Sequence, residues 1–228
     1  MLIVLTSEKA LTNEAKLLNQ LFDNGLEVLH LRKPSFDIDD YRELLNKIDD
    51  QHLSKIMIHQ FHELCLEYNL KGIHLQEQPR IDLGRGLEKY VNRWKTKDEG
   101  LKKLFQPSTS NLQPKESNNQ QLATGNYTVS SSFHEPEELE ACEFEFDYHL
   151  LSPVFSSISK QGYEGRGFDV NHINKTIIGM GGVNAETIPK ILELGYKGIG
   201  VLGGIWNTDN PVESFKEINT IYSKIIRR

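Results

Sequence analysis

Eight times along this chain a short apolar, β-branched run gives way to a more polar stretch, in most cases one with helical spacing, and that alternation limits the folds open to it. "LIVLT", "LEVLHLRK", "KIMIH", "KGIHL", "NYTVSSS", "FDYHLLSPVF", "KTIIGMGG" and "KGIGVLGG" read as strands. Ser7 is placed to cap a helix over Glu8 to Phe22, and a second helix is expected from about Asp39 to Ile48. "FHELCLEYN", "EPEELEAC", Ala185 to Leu194 and about Val212 to Ile226 supply further helices. Strands that alternate with helices pair in parallel, because a parallel neighbour needs a crossover connection. Eight such units predict one α/β domain over residues 1–228, a closed (β/α)8 TIM barrel. An open doubly wound sheet would normally carry a glycine-rich phosphate turn after its first strand, and "LTSEKALT" has no glycine.

The fourth βα connection is long. A polar insertion is expected at about 80–126, in which "LGRGLEKYVNRWKTKDEGLKKLF" has room for one charged helix. "QPSTSNLQPKESNNQQLATGN", with two prolines and no periodicity, reads as a surface excursion. The formal charge of −6 argues against nucleic acid or a membrane surface as the principal partner. Cys65 and Cys142 have no partners at metal spacing, which argues against a zinc cluster or a disulfide framework. "MLIVLTSEKALTNEAK" lacks the anatomy of a signal peptide, and no later run reaches membrane-spanning length, so a soluble cytoplasmic protein is expected. The sequence assigns no oligomeric state.

Barrels of this type carry their chemistry at the C-terminal ends of the strands. That rule selects His30, Arg32 and Lys33 after strand two, His59 and Gln60 after three, and Gln76 to Gln78 after four. Ser130 to Ser132 follow strand five, and "LLSPVFSSISKQGYEGRGFDV" follows six. Gly179, Gly181 and Gly182 in "GMGGV", with Gly203 and Gly204 in "VLGGIW", suit close backbone approach to a phosphate after strands seven and eight. "GGIWN" fits the short helix that often completes such a site. The other reading of these glycines is that they serve tight turns only. His30 and Arg32 share a face by period-two alternation, and Arg32 needs an anionic companion, either a ligand or Glu77. His30, His59 and His74 all stand at strand ends. Inward positions on neighbouring strands are expected at different heights, so these residues read as hydrogen-bonded lining rather than metal ligands. Asp39-Asp40 and Asp49-Asp50 read as solvated surface.

At "LHLRK", "GIHLQEQ", "DYHLLSPVFSSISK", "EGRG", "IIGMGGVN" and "GIGVLGGIW" the chain resembles the thiamine phosphate synthase superfamily, which includes the TenI-type thiazole tautomerases. The resemblance runs through nearly the whole chain in order, the insertion excepted, and implies a (β/α)8 barrel. It also implies coupling of hydroxymethylpyrimidine pyrophosphate to a thiazole phosphate with release of pyrophosphate, chemistry that mainly needs positioning and charge neutralisation. By this resemblance Arg32 and Lys160 are the catalytic cations, while His30, Lys33, His59, Gln76, Ser131, Ser157 and Ser159 contact the substrates. Gly181, Gly182, Gly203 and Gly204 hold the phosphate.

The family's cofactor is Mg2+, yet its two aspartate positions carry Phe61 and Gln78, which leaves Glu77 as the nearby candidate acid. Pro34 stands where the synthase motif has lysine, with Lys33 one position earlier as its substitute. The tautomerase branch shares "EGRG", but its proton-transferring histidine falls on Pro153, leaving His30 or His134 for that role. Three readings follow: a synthase, a thiazole tautomerase or isomerase, and a non-catalytic binder of phosphorylated thiamine precursors.

Overall fold

The computed structural model describes residues 1–96, 126–156 and 165–227. Among them, eight strands pair in parallel: β1 (Leu2–Leu5), β2 (Val28–Leu31), β3 (Ile56–Ile58), β4 (Gly72–Leu75), β5 (Thr128–Phe133), β6 (Tyr148–Leu151), β7 (Ile177–Met180) and β8 (Gly198–Val201). Each bonds to the next and β8 closes on β1, so the expected (β/α)8 barrel is the observed fold.

Period-two alternation sorts each strand into two layers. Ile3, Leu5, Val28, Met57, Tyr148, Leu150 and Ile178 fill the barrel interior. Val4, Leu29, Leu31, Ile56, Ile58, Ile73 and Leu75 face the surrounding helices, in a second and larger core. At Gly72 a Cβ would lie 1.9 Å from the Thr128 carbonyl oxygen, so the close approach of β4 to β5 requires glycine there.

The helical ring comprises α1 (Glu14–Asp23), α2 (Ile38–Asn46), α3 (Asp50–Leu53), α4 (Glu63–Glu67), α5 (Glu77–Leu83), α6 (Leu87–Lys95), α7 (Pro136–Ala141), α8 (Ile188–Glu193), α9 (Gly203–Trp206) and α10 (Pro211–Ile226). A capping box starts α2: Asp37 accepts from the Asp39 and Asp40 amides, and Asp40 accepts from the Asp37 amide. Asp39 and Asp40 are therefore structural, not merely solvated; Asp39 also pairs with the buried Arg42.

Two expectations are corrected. The first helix begins at Glu14, not Glu8, because Glu8 reaches Arg32 and the Lys9 carbonyl accepts from Lys33 Nζ at 2.8 Å. Residues 8 and 9 thereby tie the β1 loop to the β2 loop. The insertion expected from residue 80 is partly scaffold. Within α6, Val91 and Trp94 are fully buried, and the helix packs on β5 as the crossover that parallel neighbours need. The remainder, to residue 125, lies outside the described residues. No helix among the described residues is long and apolar enough to cross a membrane.

Candidate functional site

The C-terminal strand ends open onto a cavity of about 360 Å3. Its lining includes Glu8 and Arg32 above β1 and β2, His59 above β3, Gln76 to Pro79 above β4, Ser132 and His134 from β5, and Ser152 after β6. A larger groove, about 730 Å3, runs between α1 and α2 on the outer wall and contains no strand end. Barrel geometry favours the smaller cavity as the site of chemistry.

Arg32 lines the mouth as expected, with its side chain 30% exposed. Its companion is Glu8, from the β1 loop, rather than Glu77. Thr6 fixes the backbone beneath it: the Arg32 amide donates to Thr6 Oγ1, and that hydroxyl donates to the Arg32 carbonyl, both at 2.9 Å. Glu77 faces another partner, His134, whose Nε2 stands 3.9 Å from Glu77 Oε2. The His134 Nδ1–H donates to the Ser152 carbonyl at 2.9 Å, which leaves Nε2 as the nitrogen without the proton in the neutral ring.

Below the mouth lies an imidazole cluster. The β3–β4 register sets Ile58 against Ile73, so one step further His59 stands beside His74. Their rings stack with centroids 4.1 Å apart. His30 sits two residues lower on its own strand and meets both rings edge-on, at 5.0 and 5.1 Å. The expectation that these histidines are held apart by height is thus corrected, because the tilt of the strands brings successive inward positions together. His30 Nδ1 and His59 Nε2 are 2.8 Å apart, and His30 Nε2 is 2.6 Å from the Tyr148 hydroxyl. His74 spans two hydroxyls, Ser130 Oγ at 2.8 Å and Ser132 Oγ at 2.7 Å. Burial penalises the charged imidazole, pushing His30 down to about 3 and holding His59 and His74 well below the usual histidine range. Burial likewise raises the Tyr148 hydroxyl, which stays protonated.

The remaining sequence-selected residues divide three ways. Gln76 lines the cavity, whereas His30 lies fully buried beneath it. Two others point elsewhere and are corrected. Lys33 is fully buried on the outer face of β2, where Nζ pairs with Glu14 Oε1 at 2.5 Å, so it does not stand in for the missing lysine. Ser131 points outward and donates to the Leu75 carbonyl at 2.8 Å; its neighbour Ser132 faces the cavity.

Gly181 and Gly182 adopt positive φ, +96° and +65°, beside Met180, and Gly203 and Gly204 open α9 beside Leu202; Met180 and Leu202 line the cavity. Ser157, Ser159 and Lys160 lie outside the described residues. Glu8, read from the sequence only as a helix start, joins the site; Ser132, His134 and the stretch holding Ser152 were among the sequence candidates and line the cavity.

These donors do not fit magnesium, which wants near-octahedral oxygen ligands. Phe61 packs edge-on against Tyr41, and Gln78 is exposed, its amide donating to Asp82 Oδ1 at 2.7 Å. Glu8 is committed to Arg32, and Glu77 faces His134.

No family model matches the chain. A thiamine-phosphate synthase of Methanococcus maripaludis strain C5 is 26% identical over 108 residues, which is 45% of this chain and 52% of the relative. The match therefore spans about half the length of the curated relatives. Among solved structures, the thiamine phosphate pyrophosphorylase of Bacteroides thetaiotaomicron superposes with a TM-score of 0.66 at 25% identity, covering 98% of both chains. That of Pyrococcus furiosus superposes with a TM-score of 0.70 at 15% identity, covering 99% of this chain and 96% of its own, a likeness of fold. These likenesses, in sequence over about half of the chain and in fold over nearly all of it, support its reading as a diverged member of the thiamine phosphate synthase superfamily.

Proposed function

We propose that the protein binds a thiazole phosphate and a hydroxymethylpyrimidine pyrophosphate at the barrel mouth and couples them with release of pyrophosphate. The observation that carries this reading is Arg32, a guanidinium lining the mouth of a barrel that matches a thiamine phosphate pyrophosphorylase over 98% of both chains. Arg32 neutralises the leaving pyrophosphate after exchanging Glu8 for it, while the turns at Gly181-Gly182 and Gly203-Gly204 receive the thiazole phosphate. On the resemblance, Ser157, Ser159 and Lys160 complete the pyrophosphate contacts. No step is assigned to magnesium, since the donors among the described residues of the mouth do not suit it.

The test is a coupling assay with both substrates, with and without magnesium, on wild type, Arg32→Met and Lys160→Ala. Thiamine phosphate formed by wild type and lost in Arg32→Met is the expected result. No product under any condition refutes the coupling reaction, and activity unaffected in Lys160→Ala refutes that residue's role.

A second reading has its own support. The His134–Glu77 pair, with its tautomer set by the Ser152 carbonyl, is suited to moving a proton on a ligand in the cavity. Under that reading the protein isomerises a thiazole phosphate, and His134→Asn abolishes the isomerisation while leaving phosphate binding intact.

A further inference from the structure

We propose that His30, His59 and His74 bind one divalent transition-metal ion of the zinc class in the barrel interior, directly beneath the mouth. The inference is independent of the coupling reaction and of the family's magnesium.

Three observations converge on it. First, each residue offers a ring nitrogen, and the three lie within 4.8 Å of one another, all on buried side chains. Three imidazoles are a donor set for zinc, copper or nickel, and a poor one for magnesium. Second, the cluster does not satisfy itself. Five of its six ring nitrogens have a hydrogen-bond partner, whereas His59 Nδ1 is buried and has none. That atom is not the one that meets the ion: with the ring proton on Nδ1, His59 turns the Nε2 lone pair towards His30 Nδ1, 2.8 Å away, where the ion is placed. Third, the outer partners suit metal-bound imidazoles, which hold one ring nitrogen on a neighbouring group while the other faces the ion. Tyr148 does this for His30, and Ser130 or Ser132 for His74. His59, which lines the cavity, gives an ion its way in from the mouth.

Binding needs a small adjustment. Tetrahedral zinc with Zn–N bonds of about 2.0–2.1 Å sets its ligand nitrogens about 3.3 Å apart. His30 Nδ1 and His59 Nε2 therefore separate from 2.8 Å by roughly half an ångström. The proton they share moves to an outer ring nitrogen, a change of tautomer that releases no proton. Three protein ligands leave a fourth position for water or a ligand donor.

The experiment uses the full chain, freed of metal by a chelator, titrated with Co2+ by visible absorption and with Zn2+ by calorimetry. The expected result is one ion per chain, d–d bands of tetrahedral intensity, displacement of Co2+ by Zn2+, and no displacement by Mg2+. His30→Ala and His74→Ala should each weaken Zn2+ binding by at least about 100-fold, and Tyr148→Phe, which keeps all three ligands, by about 10-fold. Circular dichroism establishes that each variant folds. Wild type alone gives a second readout, the 15N shifts of labelled histidines. Zn2+ should move the ring nitrogens of His30, His59 and His74 and leave those of His52, His62, His134, His149 and His172 in place. Absence of binding, shifts at the other five histidines only, or affinity unchanged in the folded variants would each overturn the proposal. Water at His59 Nδ1 would then be the completing group.

Discussion

Acidification tests the buried imidazole cluster directly. His30 titrates at about 3 in the folded protein against 6.5 for an ordinary histidine. His59 and His74 are also held well below 6.5, by burial first and by neighbouring positive charge second. Above 6.5 both the folded and unfolded chains hold these rings neutral, and the cluster adds no pH dependence. As the pH falls below 6.5 the unfolded chain takes up protons that the folded chain refuses, so stability is lost progressively towards the folded values. Each imidazole then costs about 1.4 kcal/mol per pH unit, which makes about 4 kcal/mol for the three at about pH 5.5. That is a large share of the roughly 5–15 kcal/mol by which a domain is stable. His62, pushed down to about 4 by burial, acts in the same direction. The assay is urea unfolding of metal-free protein, followed by circular dichroism at about pH 7.5, 6.5 and 5.5, with midpoints falling and slopes constant. In a His30→Gln, His74→Gln double variant the pH dependence should shrink by the share of two imidazoles. Equal stability at the two extreme pH values, or an NMR titration in which any of the three rings protonates near 6.5, would refute the reasoning.

Three further outcomes are expected. Lys33→Met leaves the Glu14 carboxylate, 5% exposed, without its ion pair, and should destabilise the protein by about 3–5 kcal/mol in urea unfolding; adding Glu14→Leu should recover most of the loss. Glu8→Gln frees Arg32 for an anion. Because the pair is partly exposed, pyrophosphate affinity should rise by about five-fold at most, and calorimetry that finds no gain removes Glu8 as a competitor. Gly182→Val places a Cβ 2.7 Å from Phe155 Cβ and 2.8 Å from the Ser156 carbonyl oxygen at a φ of +65°. Thiazole phosphate binding should vanish in calorimetry while the far-ultraviolet spectrum of the barrel persists, and retained binding would remove the glycine turns from the site.

The barrel was legible because each strand carries its own evidence. Runs such as "KIMIH" and "KGIGVLGG" bury both faces, and only a parallel sheet covered on both sides asks for that. Helix starts were less legible where long-range contacts compete with local spacing. Leu11, Ala15, Leu18 and Phe22 fit a helix from Glu8, but Glu8 and Lys9 have partners in the β2 loop that exist only once β1 and β2 lie side by side. Helical propensity over one turn is worth less than a satisfied lysine and a satisfied arginine.

Inside the site, what separates the readings that hold from those that do not is parity. Period two places His30 and Arg32 together, and the same rule sends Lys33 to the outer face with Leu29 and Leu31, where Glu14 receives it. In "TVSSSF" the outward phase is marked by Val129 and Phe133, which fixes Ser130 and Ser132, not Ser131, as the inward hydroxyls; His74 bridges that pair. Both corrections were therefore available from the sequence. The meeting of His30, His59 and His74 was not, because it depends on stagger between strands, which alternation within a strand does not encode. The same stagger sets Glu8 on Arg32 and Glu77 near His134, leaving neither carboxylate among the described lining residues without a basic group beside it. A mouth whose acids are already matched by cations or imidazoles attracts a phosphate by exchange of partners rather than by open positive charge. The free energy of that exchange is small for exposed pairs, so selectivity must come from the fit of the ligand to the glycine turns and the cavity wall.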